Sequence, residues 1–140
     1  MAPGADFEAW LRGFLSARGG IAGTVHLRAG EALSLVAAVN IPPKVVEITR
    51  VIPRGKGMAG LAWERSRAVS TCDRQTDGSG DVRPGAKAVD ARAALVIPVR
   101  DSQGDVRGVV GIAFAGERDF SADDLRDFER AAAEVPREGN

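Results

Sequence analysis

The sequence carries a single cysteine, a single histidine and no tyrosine. One cysteine excludes an intramolecular disulfide. Together with one histidine it leaves too few soft ligands for a zinc cage of the common Cys/His kind. No run approaches the roughly 18 apolar residues that a spanning helix needs, so no membrane role is expected. An excess of one charge is also lacking, because 19 Lys and Arg balance 19 Asp and Glu. A neutral chain is a poor nucleic-acid binder by bulk electrostatics, and no nucleic-acid partner is expected. The start, Met1-Ala2-Pro3-Gly4-Ala5-Asp6, has neither the basic stretch nor the apolar core of a signal peptide. The expected compartment is therefore the cytoplasm. What remains is ordinary: 140 residues, 44% apolar and 27% charged. That length and composition predict one globular domain over 1–140, burying roughly 68–70% of its unfolded surface.

Both ends read as helix and the middle as sheet. Phe7, Trp10, Leu11, Phe14 and Leu15 form one apolar stripe at helical spacing, with Asp6 placed to cap its start and Gly19-Gly20 to end it. In Thr24–Arg28, Val25 and Leu27 alternate with Thr24, His26 and Arg28; a second strand runs through Leu33, Leu35 and Ala37 after the Ala29-Gly30 turn. Pro42-Pro43 open a short helix with Val45, Val46 and Ile48, and Pro53 ends that segment. Met58, Leu61, Ala62 and Trp63 suggest a second short helix, followed by a short strand at Ala68–Thr71. The stretch from Cys72 to Asp90 has few large apolar residues and many balanced charges, as expected of a packed polar loop. Ala94–Arg100 and Val106–Ala115 are strands apolar on both faces, hence central, joined by a turn at Asp101–Asp105. The last helix carries Ser121 at its N-cap, Asp124 three residues on, and a Phe120–Leu125 staple. Leu125, Phe128, Ala132 and Val135 line its apolar side, and Pro136 stops it.

This order of elements resembles a GAF domain over about residues 5–135. Three segments carry the likeness. Gly55-Lys56-Gly57-Met58-Ala59-Gly60 is similar to the family's GxGxxG crossover before a helix. Ala68-Val69-Ser70-Thr71-Cys72-Asp73 is similar to its short strand ending in Asp. The most specific is Pro98-Val99, the turn, Gly108-Val109-Val110 and Phe114, followed by Ser121 and Asp124-Leu125. The dinucleotide-binding reading of GxGxxG needs a strand before it and a long helix after it. Pro53 and a short helix stand there instead. The resemblance implies an α+β fold with a central antiparallel sheet of five to six strands. Terminal helices would cover one face, often as a dimer bundle. The 55–65 crossover and the 71–90 loop would close a ligand pocket on the other.

Candidate ligand contacts follow from that placement. His26 points away from Val25 and Leu27, toward the pocket or into a structural hydrogen bond. Trp63 on the roofing helix offers either a stacking surface or core packing. Cys72 at a strand end is a thiol beside Arg74, or a small half-buried hydrophobe. Thr71, Asp73, Thr76, Asp77, Arg83 and Lys87 complete the polar loop. Its cations suit a carboxylate or phosphate and its acids an amine, or the charges satisfy one another. Arg50, Arg54 and Lys56 read as solvated surface, since no Lys-Ser/Thr follows the last glycine.

The expected function is a non-catalytic, small-molecule-sensing regulatory module, paired as a homodimer through its terminal helices and passing its signal to an output protein. The alternative is a structural dimerisation or protein-interaction module with a filled pocket. Less favoured is a redox sensor or reductase using Cys72. Free methionine sulfoxide reductase, a GAF enzyme, resolves its oxidised cysteine with further cysteines, and this sequence has one. No cofactor is named by the sequence. Bilins attach at a Cys-His pair, but Asp73 follows Cys72, and the Asn-Lys-Phe-Asp-Glu set of cyclic-nucleotide binders is not found. Haem through His26 stays open.

Overall fold

The computed structural model describes residues 3–70, 93–116 and 120–136, with side chains from residue 7 onward. Candidates Thr71, Cys72, Asp73, Thr76, Asp77, Arg83 and Lys87 lie outside the described residues. The chain runs α1 (Pro3–Arg18), β1 (Ala22–Ala29), β2 (Ala32–Val39), α2 (Pro43–Ile48), β3 (Val51–Pro53), α3 (Gly57–Arg65), β4 (Val69–Ser70), β5 (Ala93–Arg100), β6 (Val106–Phe114) and α4 (Ala122–Ala132). The six strands form one antiparallel sheet in the order β3-β2-β1-β6-β5-β4. This is the α+β architecture expected from the sequence, with the two strands apolar on both faces, β5 and β6, inside the sheet.

Alternation along the strands sorts side chains onto two faces. On the first, Val25, Leu95, Ile97, Val99, Val110, Ile112 and Phe114 meet Phe7, Leu11, Phe14 and Leu15 of α1 and Phe128 and Ala132 of α4. Phe128 is the hub. Its ring centroid lies 6.3 Å from Phe14, 6.2 Å from Phe114 and 5.9 Å from Phe120, in edge-to-face arrangements. Burying each such side chain contributes about 1.5–3 kcal/mol. Arg18 covers the edge of this cluster, 5.3 Å from the Phe14 ring and 5.9 Å from the Phe128 ring, and meets Asp127 at 3.4 Å.

The helix that the sequence signals best forms as expected. Ser121 Oγ accepts from the Asp124 N–H and Asp124 accepts from the Ser121 N–H, each at 3.0 Å. Two local expectations are corrected. Helix α1 already begins at Pro3, whose fixed φ suits a first helical turn, so Asp6 lies inside the helix rather than capping it. The segment ending at Pro53 is not purely helical. Val51–Pro53 pairs with Ala32–Ser34 as an edge strand, where a proline's missing N–H costs no ladder bond.

In the apolar stripe of α1, Phe7, Leu11, Phe14 and Leu15 are buried within the protomer and Trp10 is half-buried. Among the described residues, the large exposed apolar side chains are Ile21, Ile48 and Val51, none of them on a terminal helix. No described helix is long and apolar enough to cross a membrane.

Candidate functional site on the second face of the sheet

The face away from α1 and α4 can be read as rows of register partners. Ala22, Ala113 and Ala94 form one row. Ala38, Thr24, Gly111 and Val96 form the next across four strands, and the row ends on Val69 of β4, which is buried in the core with α3. Leu35, His26, Val109 and Pro98 form the third. A Cβ placed on Gly111 would sit 2.9 Å from Thr24 Oγ1 and 3.9 Å from Val96 Cγ2, so these three share the face closely. Strands at the centre of a sheet are normally buried on both sides. Here Ala38, Thr24, Gly111 and Val96 are only half-buried, although three are small and two lie on the central strands β1 and β6. Solvent therefore reaches the middle of the sheet over a floor of short side chains.

Part of this face is covered by α3. Met58, Ala62 and Trp63 pack with Leu33, Val69, Ala94, Val106 and Val109 into a second core. The GxGxxG crossover places this helix. Gly55 and Gly57 adopt φ of +83° and +62°, which L side chains rarely tolerate. Gly60 abuts the turn: a Cβ there would lie 2.6 Å from the Pro53 carbonyl oxygen and 2.9 Å from Gly55 N. The Gly55 N–H also donates to the Gly60 carbonyl at 3.0 Å. The motif's work is turn geometry, as the short helix after it implied.

Trp63 is buried in this second core, and the guanidinium carbons of Arg28 and Arg54 lie 5.5 Å and 5.3 Å from its ring centroid. Of its two expected roles, the structure shows the packing one. Arg54 is exposed, as expected of solvated surface, yet it is also tied to that ring by a cation–π contact.

His26 is nearly fully buried, at 2% exposure, on the second face as the alternation predicted. Its Nε2 lies 2.8 Å from the Thr49 carbonyl oxygen, at the C-terminal end of α2. A carbonyl only accepts, so Nε2 carries the proton and donates. Nδ1 is buried and has no hydrogen-bond partner among the described residues. Burial lowers the imidazole's pKa from its ordinary value of 6.5, and the Thr49 bond opposes that only in part. Of the expected readings, the structure shows the structural hydrogen bond, made by Nε2; Nδ1 remains an acceptor without a donor among the described residues. A β-bulge falls here, since Val25 pairs with Ala37 but His26 with Leu35, leaving Val36 as the extra residue.

The structure thus brings His26, buried, onto the same face as Thr24, with Trp63 in the second core. Thr24, Ala38 and Gly111 were not singled out as site residues from sequence. The alternation in β1 already put Thr24 on the side of His26, but only strand register shows that Ala38 and Gly111 join it. Among the described residues no group of His, Cys, Asp or Glu is arranged to hold a metal.

A family model for the GAF domain matches residues 8–135. The chain belongs to the GAF domain family. Solved structures similar to it include the GAF domain of a phosphoenolpyruvate-protein phosphotransferase from Coxiella burnetii, with TM-score 0.73 and 19% identity, covering 95% of this chain and 82% of that one. The corresponding GAF domain from Acinetobacter aligns at TM-score 0.70 and 16% identity, over 96% of this chain and 78% of that one. Type II free methionine-R-sulfoxide reductase from Thermoplasma acidophilum aligns at TM-score 0.71 and 18% identity, over 95% and 88% respectively. At these identities the likeness shows a shared fold. No curated protein sequence matches the chain. In this GAF domain, the face expected to be covered by the terminal helices corresponds to the first face described above.

Proposed function

We propose that this GAF domain is a non-catalytic module that binds a small molecule on the second face of its sheet and reports occupancy to a partner protein. The observation that supports it most is the half-buried row Ala38, Thr24, Gly111 and Val96 across the sheet's centre. An apolar floor with a few polar groups suits a small-molecule site. Thr24 supplies a hydroxyl and His26 a ring nitrogen. Neither is arranged for catalysis: among the described residues His26 has no carboxylate partner to orient it, and its one hydrogen bond goes to a backbone carbonyl. Some structural neighbours are free methionine-R-sulfoxide reductases. A single cysteine in this sequence argues against the same chemistry, because Cys72 has no second thiol in the chain to resolve it.

A ligand that binds the folded state alone stabilises it by about 2.7 kcal/mol at one hundred times its Kd. A thermal-melt screen against a metabolite library tests the reading, with amide shifts mapped for each hit. The reading expects at least one hit whose shifts centre on Thr24, Ala38, Gly111 and Val96. Hits that map only to α1 and α4 would refute it, as would a library that neither stabilises the protein nor moves these resonances.

A further inference from the structure

His26 supplies the strongest unexplained feature of the molecule. A buried polar atom without a partner costs about 1–3 kcal/mol, so proteins keep few of them without a reason. Nδ1 of His26 is such an atom. The residue sits one row from the half-buried floor, with Thr24 two residues earlier in the same strand and on the same face. Its ring leans toward the β2–β3 side, because Nε2 reaches Thr49 and the next residue's carbonyl, Arg50 O, accepts from Leu35 N at 2.8 Å. The two nitrogens of an imidazole point in widely divergent directions. With Nε2 directed at Thr49, Nδ1 lies on the other side of the ring, buried and away from that carbonyl. The adjacent bulge puts the extra residue, Val36, on β2 and so sets Leu35 opposite His26.

The protonation pattern then determines the chemistry. Nε2 must donate to a carbonyl, so the neutral ring presents only a lone pair at Nδ1. Burial keeps the ring neutral, as the downward pKa shift indicates. A carboxylate or phosphate oxygen placed there would meet lone pair against lone pair. A hydroxyl or an N–H would complete the site.

We propose that His26 Nδ1 is the specificity contact of the pocket, accepting a hydrogen bond from a small molecule that presents a hydroxyl or amine donor. This rests on the reading that the second face is a ligand site, and it names the ligand class that the site takes.

The test uses the whole chain with 15N-labelled histidine and four probes in two matched pairs. Propanol is compared with methyl propyl ether, and propylammonium with propyltrimethylammonium. Each pair keeps its charge and removes the donor. In the free protein the expected spectrum is a neutral ring protonated at Nε2. A ring protonated at Nδ1 would overturn the proposal. On titration, the donor probe of at least one pair is expected to move the Nδ1 resonance and bind roughly two- to tenfold more tightly than its capped counterpart, the range of one net hydrogen bond. Equal binding within both pairs, mapped to Thr24 and Gly111 without movement of Nδ1, overturns this proposal while the ligand-site reading stands. No movement of any second-face resonance with any probe overturns both.

Two variants separate the ring's nitrogens. His26→Asn keeps an acceptor near Nδ1 and removes the Thr49 contact. His26→Gln keeps a donor toward Thr49 and removes the acceptor. With a native-like amide spectrum required of each, the donor preference is expected to survive in the first and vanish in the second. Its survival in His26→Gln would overturn the assignment.

Discussion

Acidification should destabilise this protein through His26, and the size of the effect can be bounded from its surroundings. In the unfolded chain the imidazole takes its proton near the ordinary value of 6.5; in the folded protein burial lowers that pKa, with the Thr49 bond opposing in part. Between the two values the unfolded chain holds a proton that the folded chain does not. The contribution of neutral His26 to stability is therefore complete above 6.5 and is lost as the pH falls below it. One proton gives a slope of at most about 1.4 kcal/mol per pH unit. The loss levels off once the folded ring also protonates. His26→Gln removes the titration while keeping an N–H directed at the Thr49 carbonyl. Carboxylates that titrate at lower pH contribute to both proteins alike, so the difference between the two curves isolates the imidazole. Urea midpoints read by the fluorescence of Trp10 and Trp63, at steps from neutral to mildly acid pH, give the two curves. The wild type should lose stability relative to His26→Gln below 6.5. Parallel curves, or a wild type that gains on the variant in acid, would refute the burial argument.

Other substitutions probe how the site is held. Gly60→Ala places a methyl against the Pro53 carbonyl and Gly55 N, both backbone atoms that cannot rotate aside; a loss of about 1–3 kcal/mol is expected in urea unfolding. Phe128→Ala empties the hub of the terminal-helix core and should cost about 3–5 kcal/mol in the same assay. Ser121→Ala removes one half of the capping box and should cost about 1 kcal/mol, with exchange of the first amides of α4 accelerated. A neutral Phe128→Ala would mean that the helices do not pack as described.

Much of the fold was legible because local signals agreed with one another. The Ser121–Asp124 box, the Phe120–Leu125 staple and the stripe through Phe128 all pointed to one helix, which forms. The alternation of Val25 and Leu27 against Thr24 and His26 gave the correct two faces of β1. Strand β3 was hidden because Val51–Pro53 is too short to show a period and contains a proline. The α1 stripe fits either a core or a dimer surface, since periodicity marks a buried face without naming what buries it. The site was less legible than the fold. Ala38 and Gly111 carry no chemistry of their own, and they matter only because strand register sets them beside Thr24. The state of His26 was out of reach too, because its two nitrogens differ only through the Thr49 carbonyl, 23 residues away in sequence.

The central claim is that the half-buried row on the second face is the floor of a ligand site. The most direct test is native mass spectrometry of the purified protein, after incubation with a small-molecule extract of cells, beside a denaturing spectrum of the same sample. Ala38→Phe, which fills the row from β2, serves as the comparison. The account predicts an added small mass on the wild type that is lost on denaturation and reduced or missing on a folded Ala38→Phe. A bare wild-type mass, or an added mass that Ala38→Phe holds equally well, would contradict it.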